Sequence, residues 1–164
     1  PGLRPRSRMP ETVITTVVSG CDLVAARELF AEYGEDVSRA HCLKNFVSEL
    51  DGLPGEYGPP RGALFLARVD GSAAGAVGLR CLDNRAAEMK RLYVRPHWQG
   101  LGLGRQLTVA AINQARDLGY SALRLDTLGH MTAAQALYAD LGFVEIAPYH
   151  PDTACGMRFM ELGW

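Results

Sequence analysis

The sequence predicts a single-domain α+β protein: a mixed, largely antiparallel sheet with a central parallel strand pair and helices on both faces. Three observations carry this. Aliphatic and β-branched runs broken by tight-turn signals fill the first half of the chain and read as an antiparallel meander. Amphipathic stretches at 105–118 and 131–143 alternate with short strands in the second half. The strands at 88–94 and 122–128 are separated by the first of those helices, which makes them parallel neighbours in a strand–helix–strand unit.

Each element follows from local chemistry. TVITTVV at 12–18 is a β-branched strand. CDLVAARELFAEYGEDV places Leu23, Ala26, Phe30 and Tyr33 on one helical face, with Asp22 near its start as a cap. A short helix is expected at 41–50, and DGLPGEYGPPRG at 51–62 breaks all periodicity, so it is a loop. Three meander strands follow. Asp70-Gly71 marks the first hairpin because that pair tolerates positive φ, and Asp83-Asn84 marks the second reversal. The helix at 105–118 buries Leu107, Ala110, Ala111, Ala115 and Leu118 and stops at Gly119. SALRLDTL is a short buried-type strand, and MTAAQALYADLGF sets Ala134, Leu137, Tyr138 and Leu141 on one helical face before Gly142. The tail offers two last strands. Residues 1–11, basic and proline-rich without an apolar signal core, read as a disordered lead-in to a domain spanning 12–164.

Bulk composition narrows the function classes. Seventeen basic residues against eighteen acidic give a net charge of −1, so no positive field attracts nucleic acid or an anionic membrane. No apolar run reaches the ~18 residues of a membrane-spanning helix. Cys21, Cys42, Cys81 and Cys155 are scattered without metal-ligand spacing. No metal is expected, and the thiols read as free in a reducing cytoplasm.

The chemistry begins at QGLGLGR, Gln99 to Arg105, which runs straight into a helix. One explanation is a glycine-rich turn. The other is anion binding: the first turn of a helix has unpaired N–H groups and partial positive charge, and glycines let a phosphate approach without meeting a Cβ. Two familiar phosphate loops are excluded. No Gly-Lys-Ser/Thr follows, and Gln106-Leu107 stands where a dinucleotide fingerprint needs its third glycine.

The wider order favours anion binding. AEMKRLYV, then Gln-x-x-Gly-x-Gly (Gln99, Gly102, Gly104), a helix, a parallel strand and ALYADLGF resemble the GNAT-superfamily N-acetyltransferases, most strongly over 87–143. The resemblance implies an acyl-CoA acyltransferase fold and transfer of an acetyl group from acetyl-CoA to a primary amine, on a small molecule or peptide. It implies that the main chain of Leu92, Tyr93 and Val94 holds the pantetheine arm. Gln99, Gly100, Leu101, Gly102, Leu103, Gly104 and Arg105 would hold the pyrophosphate. The two central strands are expected to splay apart, freeing backbone groups for the cofactor. Homodimers are common in the family.

Amine acetylation needs a base for the ammonium and an acid for the departing thiolate. Tyr138 occupies the family's tyrosine position and is the candidate acid; spacing alone favours a core tyrosine on an amphipathic helix. Glu88 is the candidate base, directly or through water, or else half of a salt bridge to Lys90 or Arg80. Strand alternation puts Glu88 with Lys90, Leu92 and Val94, opposite Met89, Arg91 and Tyr93. Met131 stands where the family often has asparagine, with Thr132 as a neighbouring hydroxyl. His97 reads as a surface residue. The acceptor region is expected at 33–60 and the last strands, with Glu49, Asp51 and Glu56 near Tyr57. No cysteine falls in 87–143, which favours direct transfer in a ternary complex over an acetyl-enzyme. A non-catalytic acyl-CoA-binding module and the use of another acyl-CoA are the rival readings.

Overall fold

Thr12–Thr16 forms β1, an edge strand whose β-branched residues pair antiparallel with β2 (Ala63–Val69) in a computed structural model that describes residues 8–38, 45–151 and 156–164. Then come α1 (Gly20–Ser38), α2 (Phe46–Asp51), β3 (Ser72–Cys81), β4 (Ala86–Val94), α3 (Leu103–Asp117), β5 (Ala122–Thr127), α4 (Thr132–Asp140), β6 (Val144–Ile146) and β7 (Arg158–Gly163). One seven-stranded sheet results, in the order β1-β2-β3-β4-β5-β7-β6. All neighbours are antiparallel except β4 and β5. That parallel pair and the meander before it are as the sequence predicts. Part of the expected helix at 41–50, and Cys42 and Cys155, lie outside the described residues; Cys21 and Cys81 are free thiols.

Turn chemistry explains the register. Asp70 and Gly71 both take positive φ, 47° and 83°, as a two-residue hairpin requires. At the second reversal the Asp83 carboxylate accepts hydrogen bonds from the N–H groups of Arg85 and Ala86, at 2.7 and 2.8 Å. Asp22 does not spend its carboxylate within α1. It accepts from Arg68 at 2.7 Å, tying the helix to β2. Glu11, at the end of the expected lead-in, donates its N–H to Asp70 at 3.0 Å.

Apolar residues divide between the two sheet faces. On one, Leu103, Leu107, Ala111, Ile112 and Ala115 of α3 and Tyr138 of α4 pack on Leu79, Met89, Leu123 and Leu125. On the other, Ala26, Leu29 and Phe30 of α1 pack with Tyr57 on Leu64, Leu66 and Ala76. Gly78 of β3 is fixed by that second cluster, because a Cβ there would come within 2.6 Å of the Tyr57 ring.

Strict alternation fails in β4. Ala76 pairs with Tyr93 while Gly78 pairs with Lys90, so β4 holds one residue more than β3 over that step, and Arg91 takes a φ of 62°. The bulge flips everything after it. Leu92 and Val94 join Met89 against the α3 and α4 cluster, while Tyr93 packs against the α1 cluster. The sequence expectation that Leu92 and Val94 share a face with Glu88 is therefore corrected. β4 and β5 also part early, since pairing stops at Glu88 with Arg124.

Candidate active site

The parting of β4 and β5 and the start of α3 shape a groove of about 690 Å³. Leu92 and Val94 line it from β4, and Gln99, Gly100, Gly102, Leu103, Gly104 and Arg105 line it from the loop and helix. Gly100 and Gly102 both take left-handed φ, 84° and 80°, where a side chain costs about 1 kcal/mol or more. α3 begins two residues earlier than periodicity suggests. Gly102 precedes the helix and its carbonyl accepts the first helical bond, from Gln106 at 3.1 Å. The N–H groups ahead of Gln106 in that turn have no partner within the helix. Gly104 therefore sits inside α3, where an added Cβ would touch Leu137 at 3.6 Å.

Other predicted residues fall around this groove. Gln99 donates to the Val94 carbonyl at 3.1 Å, pinning loop to strand end. Arg105 pairs with Asp140 at the surface. Leu101 is exposed and does not line the groove. The Tyr93 side chain lies on the far face, edge-on to Tyr33. Burial and the neighbouring Glu32 push its phenol up to about 12. Met131 and Thr132 both line the groove, whereas His97 stacks edge-on to Trp98 outside it.

A small cavity of about 60 Å³ continues the groove inward, sharing Leu92 and Met131 with it. Tyr138 lines this cavity from α4, buried, with Phe143 against its ring. Burial raises its phenol above the ordinary value, so the proton is held through the neutral range. Thr127 lines the same cavity, and its buried hydroxyl has no hydrogen-bond partner among the described residues.

Beyond Tyr138 the cavity opens into a cleft of about 620 Å³, with Lys90, Arg91 and Asp126 common to both. Its walls are ion pairs. Arg91 holds Glu49 of α2 at 3.0 Å, and Tyr57 donates to the same carboxylate at 2.9 Å. Arg80 reaches Glu56 at 2.9 Å. Glu49 and Glu56 thus line the cleft as the sequence suggests, while Asp51 stays exposed outside it.

Glu88 lies behind that wall. Its side chain is 1% exposed, Arg80 holds one oxygen at 2.8 Å, and the Tyr149 hydroxyl donates to the other at 2.6 Å. Burial works against the charge of Arg80, but the Glu88 carboxylate beside it carries its pKa above the ordinary value. Burial and the same carboxylate keep the Tyr149 phenol protonated.

The sequence did not single out Asp126 and His150. Asp126 accepts from Lys90 Nζ at 3.2 and 3.3 Å, and His150 Nε2 lies 2.7 Å from its Oδ2. Burial would raise the Asp126 pKa, but Lys90 and His150 outweigh it and hold the carboxyl below its ordinary value. An acidic residue following leucine in β5 was the available signal; nothing local marked His150. Ligand atoms of Glu88, Asp126 and His150 lie within 4.8 Å of one another. Arg80 and Lys90 already neutralise both carboxylates, which makes this a weak cation site and a good proton network.

A model of the Acetyltransferase (GNAT) family matches residues 24–143. The chain belongs to the GNAT acetyltransferase family. An uncharacterized N-acetyltransferase of Schizosaccharomyces pombe is 36% identical to this GNAT chain, covering 86% of it and 88% of the relative. YjgM, an uncharacterized N-acetyltransferase of Escherichia coli, is 30% identical over 73% of this chain and 72% of its own. In three dimensions an acetyltransferase of Streptococcus agalactiae superposes with a TM-score of 0.77 at 18% identity, covering 93% of this chain and 98% of that one. YncA of Salmonella typhimurium, solved with acetyl-CoA, superposes at 0.70 and 20% identity, covering 93% of each chain. Among the described residues, no helix is long and apolar enough to cross a membrane.

Proposed function

We propose that this GNAT protein moves the acetyl group of acetyl-CoA directly to a primary amine in a ternary complex. One observation carries the reading. The glycine-lined groove, the Tyr138 cavity and the charged cleft are consecutive, so two substrates entering from opposite sides meet beside one phenol. The acetyl-CoA bound by the Salmonella neighbour supports the same donor here.

The roles divide by place. The start of α3, with Gly100 and Gly102 shaped for close approach, takes the pyrophosphate. The β4 backbone after its last pairing with β5 offers groups to the pantetheine arm. Acetyl-CoA supplies the activated acyl carbon. Holding it beside the amine removes most of the entropic cost of encounter. Tyr138, kept protonated by burial, gives its proton to the departing thiolate. Glu88, with both oxygens engaged, serves by holding Arg80 and Tyr149 at the back of the cleft. An intracellular, cytoplasmic supply of acetyl-CoA fits this chemistry.

Calorimetric titration with acetyl-CoA and CoA, followed by initial rates over both substrates with amines, amino acids and peptides, tests the proposal. Micromolar binding and intersecting rate lines are expected. Parallel lines with a covalent acetyl-enzyme in the mass spectrum would overturn direct transfer. Tight binding without turnover on any amine would leave a CoA-binding module.

A further inference from the structure

Resting on this reading, we propose that His150, oriented by Asp126, takes the proton from the acceptor amine. Glu88 then acts as a positioning residue. The cleft must contain a base, because an alkylammonium holds its proton at neutral pH and cannot attack a carbonyl. Glu88 is poorly placed for that role: its side chain is 1% exposed, it does not line the cleft, and Arg80 and Tyr149 occupy its two oxygens. His150 lines the cleft, and so does Asp126, which reaches on into the Tyr138 cavity.

The geometry also fixes which nitrogen works. With Nε2 2.7 Å from the Asp126 carboxylate, the ring donates there, and Nδ1 carries the free lone pair. Lys90 holds Asp126 charged and in place from β4. Two rings that also meet each other at 5.1 Å pack against the imidazole: Phe159 of β7 at 4.7 Å and Tyr149 at 5.3 Å, both edge-on. Tyr149 is in turn anchored on Glu88, so the buried carboxylate acts on His150 through the residue before it. The other charges near the ring, Arg80 with Glu88 and Arg91 with Glu49, are closed into pairs.

The step balances. The ammonium gives one proton to Nδ1, and the freed lone pair attacks the thioester carbonyl carbon. As the C–N bond becomes an amide the nitrogen sheds its second proton, the C–S bond breaks, and the sulfur leaves with the bonding pair and is protonated by Tyr138. The imidazolium returns its proton to bulk water. Tyr138 recovers the proton shed by the nitrogen. One proton is released per acetyl group transferred.

His150→Gln tests this against the wild type with L-lysine, spermidine, alanylglycine and tryptamine, using the best acceptor of the four throughout. Turnover at neutral pH should fall about 100-fold or more, while acetyl-CoA binding by calorimetry stays within about twofold. The loss should shrink as pH rises toward the acceptor's own pKa. It should also nearly vanish with hydroxylamine, which needs no base at neutral pH. Asp126→Asn should lower turnover in the same direction. Glu88→Gln, which keeps a hydrogen-bond acceptor for Tyr149 but gives up the charge facing Arg80, should cost less turnover than His150→Gln and keep the wild-type pH dependence; a larger loss than that of His150→Gln overturns the assignment. A His150→Gln enzyme with wild-type rate and pH profile overturns the assignment, as does an equal loss with hydroxylamine. Nitrogen-15 NMR of the imidazole ring gives a readout independent of turnover: the Nε2–H form is expected, and an Nδ1–H form overturns it. Absence of wild-type turnover on all acceptors would instead remove the parent reading, and the NMR result separates the two failures.

Discussion

The groove beside α3 and the cleft beside α2 meet at Tyr138, but they are made of different material. The groove offers main chain: a helix start, two left-handed glycines and a strand that has parted from β5. The cleft offers side-chain charge, closed into pairs: Arg91 with Glu49, Arg80 with Glu56 and Glu88, Lys90 with Asp126. A main-chain site suits a ligand part that never varies, such as the pyrophosphate and pantetheine proposed for it. A site of paired charges suits selection, because a mismatched acceptor leaves one ion unpaired in a partly buried setting. On the proposed reading, one fold holds the constant part of its donor by main chain and selects its acceptor by side-chain charge.

The sharpest way to break the contrast is Gly102→Asp. The new side chain must adopt the left-handed φ of 80°, and it sets a negative charge at the proposed phosphate position. Binding of acetyl-CoA should vanish at ~1 mM ligand, with the circular-dichroism spectrum intact. Retained binding would mean that the glycine loop is only a turn.

Tyr138→Phe is the next largest. It should lower kcat by about 100-fold or more and leave the acetyl-CoA Kd nearly unchanged, because in the proposed mechanism the hydroxyl acts on the leaving sulfur. Equal losses in both quantities would make Tyr138 a structural residue. Gly78→Ala probes the cleft from behind: its methyl would meet the Tyr57 ring at 2.6 Å. Overpacking of this kind costs ~1–3 kcal/mol. The acceptor KM should rise more than the acetyl-CoA KM, since Tyr57 bonds to Glu49 in the cleft wall. An effect confined to acetyl-CoA would show that groove and cleft are not separate sites.

The smallest effect is on acid stability. Asp126 has a folded pKa below its unfolded one, so its carboxylate stabilises the fold above the unfolded value, ~3.9, and that contribution is lost as pH falls through the lower folded value. The melting-temperature advantage of wild type over Asp126→Asn should therefore be present at neutral pH and shrink below about pH 4. A difference independent of pH would place the effect in packing instead of charge.

Much of this molecule was legible from local pattern. The strand and helix order, the Asp70-Gly71 hairpin and the glycine approach to α3 all depend on residues within a few positions of one another. Periodicity and φ preference act over that range, and they placed the groove and brought Tyr138 to a helix face. The bulge at Arg91 escaped, because strict alternation assumes a regular strand, and it reversed the faces of Leu92 and Val94. The cleft escaped for a deeper reason. Its partners, Arg80 with Glu56, Lys90 with Asp126, Arg91 with Glu49 and Tyr149 with Glu88, lie 24, 36, 42 and 61 residues apart. Charges pair by distance in space, and no spacing along the chain encodes which cation will meet which carboxylate. The sequence by itself determined the scaffold and the glycine loop ahead of α3. Only the folded sheet, bringing β3, β4, β5 and the Tyr149–His150 pair to one face, decided which charges meet in the cleft.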